Sequence, residues 1–465
     1  MIKKSQTPGR SRWVVVVGGG CSGVLTTLQL LRQAHDSDCG VVLVESRPRF
    51  GRGLAYSIWD DSMLLNVPAG NMSALADEPN HFMEYCREMD PSLNGGSFVS
   101  RRIYGDYLEH VLATTAASSS VELRRIRGQV VRIQSAPDRG GFEVTLADGA
   151  VVMAGDVILA CGFLGAQKLP FAQGLAESPR YIENPWNFRA MDAIPPGEAV
   201  LVIGTGHTAI DALFRLSSLD DSREVILLSR RGLLPKSHRI LPQPPAHTDF
   251  PAYLTGVSAT ALGLMRALRA EVRKREFAGG NWRDVLNELR PHTRLIWERW
   301  PQAERRRFLS KIRPWWDIHR HRLAPAAAAR LKSQLSSGHT QVLAGQIMQM
   351  RPEDDAVAVT IRMRNSGGVN SVRVAAVINC TGPDYDIDRA SSPLVAQLRS
   401  EGYIQPDPLR LGLEVDMDYR VIGQGGQAIE GLYYVGPMLR ARYWEAIAVP
   451  ELRVHAKQLV KRLLS

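Results

Sequence analysis

The chain has 465 residues, 45% of them hydrophobic and 22% charged, which is ordinary for a soluble globular protein of two or three domains. No apolar run approaches the roughly 20 residues of a membrane span, so no membrane partner is expected. The formal net charge of +10 favours anionic ligands, and small anions rank ahead of nucleic acid because no recognised nucleic-acid motif is present.

The basic start, "MIKKSQTPGRSR", has no signal-peptide apolar region before the first predicted strand, and the cytoplasm is expected. "WVVVVGGGCSG" follows. Four valines read as a parallel strand buried on both faces, and the glycines demand a tight turn open to close approach. Gly18, Gly20 and Gly23 fit G-x-G-x-x-G, with Cys21 and Ser22 between the last two glycines. Apolar residues at helical spacing come next, which is the context of a dinucleotide pyrophosphate site. "GVVLVES" is a second buried strand ending at Glu45, about twenty residues on, where a ribose hydroxyl would find a carboxylate. The alternative for Glu45 is a solvated strand end; its register with the glycines favours the ribose.

"GRGLAYS" and "LLNVPAGNMSALADEP" read as ordered loops. A helix is predicted around Tyr104 to Ala113. "VELRRIRGQVVRI", "GFEVTLADG" and "VVMAGDVILACG" read as a small meander ending in a buried strand at Gly162.

The opening pattern then returns in "AVLVIGTGHTAIDALFRL", with Gly204 and Gly206, then His207 and Thr208, and Ala209 in the third glycine's place. The second strand of this unit ends in Ser229, Arg230 and Arg231 rather than in an acid. Arginine pairs are commonly solvated surface charges. Here they replace the acid that would select an unphosphorylated ribose, and a guanidinium pairs with a 2′-phosphate. His207 reads as a loop histidine that helps to bind pyrophosphate rather than as a chemical group.

"DVILACG", closing on Gly162, and "AVINCTG", closing on Gly382, bracket the second unit like crossings into and out of an inserted domain. Residues from about Pro251 to Ala329 read as helical and basic. Within them "HRHR" (His319 to Arg322) suggests a metal at first sight. Two histidines one residue apart diverge on a helix and have no acidic or cysteine partner nearby, so no metal is expected. A final helix is predicted to start near Pro450. The five cysteines, Cys21, Cys39, Cys86, Cys161 and Cys380, contain no C-x-x-C pair and read as free, mostly buried thiols.

With both fingerprints and the bracketing crossings, the chain resembles the two-domain FAD/NAD(P)-dependent flavoproteins. More narrowly, "GRGLAYS", "LLNVPAGNMSA", "RRIYGDYL", "SRRGLLP" and "WEAIAVPELR" resemble the bacterial FAD/NAD(P)-binding family that includes FAD-dependent urate hydroxylase and aspartate N-monooxygenase. The likeness runs from about Trp13 to the C-terminus. The expected fold is α/β: two Rossmann-like dinucleotide-binding domains, the NAD(P)H domain inserted into the FAD domain, plus a helical insertion. Expected boundaries are 1–165 and 383–465 for the FAD domain and 190–382 for the NAD(P)H domain, with the insertion at about 251–329. The resemblance puts the FAD pyrophosphate on Gly18, Gly20 and Gly23 and its ribose on Glu45. It implies that Asn66 and Met72 lie near the flavin, that Val130 offers backbone groups to the adenine, and that Gly436 closes over the flavin side. Many such flavoproteins follow that last glycine with an aspartate; here Pro437 follows, so another group must serve.

The expected cofactors are FAD and NADPH, with NADH possible. The expected activity is a monooxygenase hydroxylating a small anionic substrate with dioxygen, urate first and an amino-acid nitrogen as the alternative. Arg320 and Arg322 are candidates for binding a carboxylate or urate anion, with a solvated basic face as the equal alternative for this segment. Electron transfer to a quinone or protein, or a nucleotide-sensing regulator, would keep both fingerprints. The missing dithiol argues against a thioredoxin-reductase-like relay, and no catalytic side chain stands out because the flavin carries the chemistry.

Overall fold

The computed structural model describes residues 12–35, 39–136, 140–240 and 249–465. Residues 1–11, which carry most of the basic start behind the cytoplasmic expectation, lie outside the described residues. The chain forms two compact units: one comprises Val67–Leu164 and Tyr385–Ser465 with the chain up to Asp61, the other Ser62–Asn66 and Gly165–Asp384.

The first unit opens with β1 (Trp13–Val17), α1 (Cys21–Gln33) and β2 (Gly40–Glu45), and β1 pairs in parallel with β2. Helices α2 (His81–Met89) and α3 (Arg101–Ser118) follow. Ser100 starts α3 by accepting the Ile103 N–H (3.3 Å) at the N-cap. Next come β3 (Leu123–Arg127), β4 (Val130–Ser135), β5 (Phe142–Leu146), β6 (Val151–Ala154) and β7 (Asp156–Leu159). The predicted meander needs correction here. Only β4, β5 and β6 form it; β3 and β7 belong to the parallel sheet, and Gly155 splits β6 from β7. The arginine-rich β3 is an edge strand, where charge is tolerated and blunts unwanted pairing.

The second unit begins with β8 (Tyr181–Ile182) and α4 (Phe188–Asp192), then β9 (Val200–Ile203), α5 (His207–Leu219) and β10 (Val225–Ser229). The helical insertion comprises α6 (Ala261–Phe277), α7 (Trp282–Leu289), α8 (Thr293–Arg299), α9 (Gln302–Arg307), α10 (Arg313–Arg320) and α11 (Pro325–Ser336). Strands β11 (Thr340–Pro352), β12 (Val357–Met363), β13 (Val369–Val374) and β14 (Ala376–Asn379) complete a sheet ordered β13-β12-β11-β10-β9-β14-β8. β9 is buried on both faces. Val200 and Val202 pack in one core with Leu213 and Leu331, Leu201 and Ile203 in another with Val357 and Val359.

The chain finishes in the first unit with α12 (Pro393–Ser400), β15 (Arg420–Ile422), β16 (Ala428–Tyr434) and α13 (Val449–Leu464). The six-stranded sheet there runs β15-β16-β7-β1-β2-β3. Pro450 lies in the first turn of α13, where its missing N–H costs nothing. Among the described residues no helix is long and apolar enough to cross a membrane.

Candidate functional site

Each unit has a switch point, where the chain leaves the central strand and neighbouring strands run off to either side. Dinucleotides bind at such points in open α/β sheets. In the first unit β1 lies between β2 and β7; in the second β9 lies between β10 and β14. The local bonding repeats closely. Gly18 N–H donates to Val44 O (2.9 Å) and Gly204 N–H to Leu228 O (2.7 Å). Ala160 N–H donates to Val17 O, and Cys380 N–H to Ile203 O, both at 2.8 Å.

The two "crossing" sequences thus serve one purpose. Their small residues let the glycine turn sit directly on the end of the neighbouring strand. A Cβ on Gly18 would meet Ala160 O at 2.5 Å, and one on Gly204 would strike Cys380 O more closely still. Both glycines have positive φ, +106° and +126°, so a side chain is barred twice over. Gly162 and Gly382 follow the crossings with φ of +71° and +101° and open space where a Cβ would be.

Helices α1 and α5 begin at Gly20 and Gly206, and neither N-cap makes a side-chain capping bond. Both N-caps are glycines, so no cap side chain occupies the first N–H groups, an arrangement that suits phosphate. A Cβ on Gly206 would meet nothing within 4 Å, whereas one on Gly20 would approach Gly53 Cα at 3.2 Å. Both turns fit a bound dinucleotide.

Around the first turn, Glu45 is buried. Its Oε1 accepts from Arg47 N–H (2.8 Å) and Ser46 Oγ (3.3 Å), which fixes the carboxylate. Glu45 O accepts from Gly128 N–H (2.9 Å), bringing Val130 at the head of β4 into the same neighbourhood. Ser22 lies near Gly436: a Cβ on that glycine (φ +142°) would be 3.6 Å from Ser22 Oγ and 2.8 Å from the Tyr434 hydroxyl. Met72 is buried in the loop that Tyr107 anchors: the Tyr107 hydroxyl accepts Ala74 N–H (3.1 Å). Burial pushes the Cys21 and Cys161 thiols up to about 12, so both stay protonated. Asn66 is sorted differently. It belongs to the second unit, where its carbonyl accepts from His238 Nε2 (3.1 Å).

Around the second turn, His207 opens α5 and donates from Nε2 to Arg322 O (3.2 Å). Thr208 O accepts from Cys380 Sγ (3.7 Å). Arg230 is exposed and Arg231 half-buried beyond the end of β10.

Sequence reasoning missed Thr205. Its Oγ1 donates to Leu233 O (2.6 Å) and lies 3.0 Å from Ser229 Oγ, which also accepts Gly232 N–H (3.0 Å). Thr205 thus clips the loop carrying both arginines to the glycine turn. Its place between two glycines was the only available signal. Arg52 of "GRGLAYS" was also unassigned: it is buried and ion-paired to Asp106 and to Glu109 (2.8 Å), so that motif and "RRIYGDYL" interlock. In "HRHR" one expectation is corrected, because Asp317 Oδ1 lies 3.8 Å from His321 Nε2, one helical turn back. Pro437 follows Gly436, and in the turn after it Arg440 is buried, 4.0 Å over the Trp444 ring, and donates to the Tyr385 hydroxyl (3.3 Å).

Fold and turns together define a chain with two Rossmann-like dinucleotide-binding domains and helical insertions. Residues 15–164 match the family model described as FAD-NAD(P)-binding. No curated protein sequence matches the chain. Among solved structures it is similar to ornithine hydroxylase from Pseudomonas aeruginosa, with TM-score 0.66 and 16% identity over 97% of this chain and 98% of that one. L-lysine 6-monooxygenase from Pseudomonas syringae gives 0.64 and 17% over the same shares. T. acidophilum thioredoxin reductase gives 0.53 and 13%, again over 97% and 98%.

Proposed function

We propose that the chain is an FAD- and NADPH-dependent monooxygenase that hydroxylates the amine nitrogen of a small amino acid. The observation that carries this reading is the full-length likeness to ornithine hydroxylase and lysine 6-monooxygenase, with two phosphate-ready turns in one chain. It favours the amino-acid alternative over urate. The thioredoxin-reductase likeness is weaker, and the five free cysteines include no C-x-x-C pair to relay electrons.

In this reading Gly18, Gly20 and Gly23 let the FAD pyrophosphate approach the N-terminus of α1, beside Cys21 and Ser22. The Glu45 carboxylate, oriented by Arg47 N–H, accepts from the ribose. Val130 lies toward the adenine, and Met72, Gly162 and Gly436 toward the flavin. Gly204, Gly206, His207 and Thr208 receive the NADPH pyrophosphate, with Gly382 beside them. Ser229, Arg230 and Arg231 take the phosphorylated ribose. Bound FAD supplies hydride acceptance from NADPH and reduction of dioxygen. The balance is one NADPH, one proton and one dioxygen per amine: one oxygen atom enters an N–O bond and the other leaves as water. The protein's part is to orient the two cofactors and the amine and to exclude water.

The test runs the enzyme with NADPH under labelled dioxygen and L-ornithine, L-lysine, L-aspartate or urate in turn. A hydroxylamine carrying one labelled oxygen is expected from an amino acid. Hydrogen peroxide accounting for all oxygen consumed with every substrate would overturn the reading.

A further inference from the structure

Arg322 follows α10 in the second unit and is 3% exposed. Its Nη2 donates to Asn287 Oδ1 (2.6 Å), while Nε and Nη1 are buried and find no acceptor among the described residues. A guanidinium offers five N–H donors in a rigid fork, and leaving several unmade in the interior is costly. The surrounding charge deepens that cost. Burial and then Arg320, Arg283 and Arg290 lower the Arg322 pKa to about 9. Asp284 alone opposes them among the causes of the shift; its Oδ2 is paired with Arg239 (2.8 Å), while its Oδ1 is buried without a hydrogen bond among the described residues. The Trp282 ring forms an aromatic wall, with Arg283 4.4 Å and Arg322 5.8 Å from its centroid. A buried cation among like charges calls for an anion.

We propose that Arg322 heads a buried anion site in the second unit, and that the group it receives is the carboxylate of the amino-acid substrate. The anion site follows from the geometry; the identity of its occupant rests on the hydroxylase reading. The cofactor's phosphates already have the N-terminus of α5 and the Arg230–Arg231 pair, so Arg322 is cationic capacity beyond what NADPH needs. The location also suits a substrate. The Arg322 carbonyl is held by His207 of the nicotinamide turn (3.2 Å). His238, of the same unit, feels the charges of Arg322, Arg320 and His207. A planar carboxylate matches the guanidinium fork.

The test uses the full chain loaded with FAD and measures binding without turnover, by calorimetry and by the shift in melting temperature. The probes are L-ornithine, L-lysine, L-aspartate and acetate, the decarboxylated amines putrescine and cadaverine, and NADP⁺. The wild type is expected to bind at least one amino acid and to bind its decarboxylated counterpart at least about 10-fold more weakly. Arg322→Gln should weaken the amino acid about 10-fold and leave NADP⁺ affinity unchanged, and Arg322→Lys should fall between because it keeps the charge but loses the fork. The lysine variant also decides the matter if the glutamine variant fails to fold. The proposal is overturned if no carboxylate binds the wild type. It is equally overturned if both variants bind carboxylates as the wild type does, as a merely structural Arg322 would allow, or if NADP⁺ binding falls about 10-fold instead. Carboxylate binding without hydroxylation would sink the hydroxylase reading alone. Hydroxylation with an unchanged KM in the variants would sink this site alone.

Discussion

Ser229 ends β10 as Glu45 ends β2, each one residue past the carbonyl that accepts from the glycine turn, and Arg230 and Arg231 follow directly. A carboxylate there accepts from ribose hydroxyls and repels a 2′-phosphate; two guanidiniums do the reverse. A charge-assisted hydrogen bond contributes roughly 1.5–3 kcal/mol. Replacing both arginines with alanine should therefore reduce the preference for NADPH over NADH at least ~10-fold, read as stopped-flow flavin reduction. Equal rates and affinities for the two nucleotides in the wild type would assign the arginines another task. His238 gives a second prediction. Burial first, then Arg322, lowers its pKa to about 3, with the neutral form donating from Nε2 to Asn66 O. Above pH 6.5 neither folded nor unfolded chain protonates it, so it adds no pH dependence. Below 6.5 the unfolded chain takes up a proton that the folded one refuses, and stability falls by about 1.4 kcal/mol per unit towards pH 3. Between pH 7.5 and pH 5 the wild type should lose about 2 kcal/mol more than His238→Gln in urea unfolding. Parallel losses in the two proteins would show that His238 is readily protonated in the fold.

The decisive element is the strand–turn–helix unit, and most of it was legible. Buried valines, glycine spacing and helical apolar periodicity are local signals, so both turns could be placed by inspection. The small-residue crossings were legible as an echo, but their purpose, contact with the glycine turn through Ala160 O and Cys380 O, emerged only from strand order. β3 was misassigned because "LRRIR" has an edge strand's pattern, and parallel pairing with β2 joins residues roughly 80 positions apart. Thr205 was missed for a similar reason: its partner Leu233 lies 28 positions away. At the turn itself, a Cβ on Gly20 already presses on Gly53 Cα at 3.2 Å. Gly20→Val adds two methyl groups where phosphate must approach. Overpacking of this kind costs roughly 1–3 kcal/mol, so bound FAD should fall about 10-fold while circular dichroism shows an intact fold. A folded, fully yellow Gly20→Val protein would remove FAD from this turn.

At the scale of the molecule, the repeated fingerprint announced two nucleotide-binding units, and the basic stretch between the crossings announced the helical insertion. The allotment of Asn66 to the second unit was not legible, since Ser62–Asn66 sits with residues far along the chain, among them His238, 172 positions away. The anion site at Arg322 was half legible: the arginines were visible as a charge cluster, but burial and unmade donors are properties of packing. The splitting of the first unit also sets an order of events during synthesis. Its strand β7 borders β16, and α1 packs against α13, so both wait for residues 428–464 to be synthesised. Residues 165–384 emerge complete before then. The unit whose sequence begins first is therefore the one that closes last, and until it does, the growing chain carries β7 with one edge unpaired and open to the wrong neighbour.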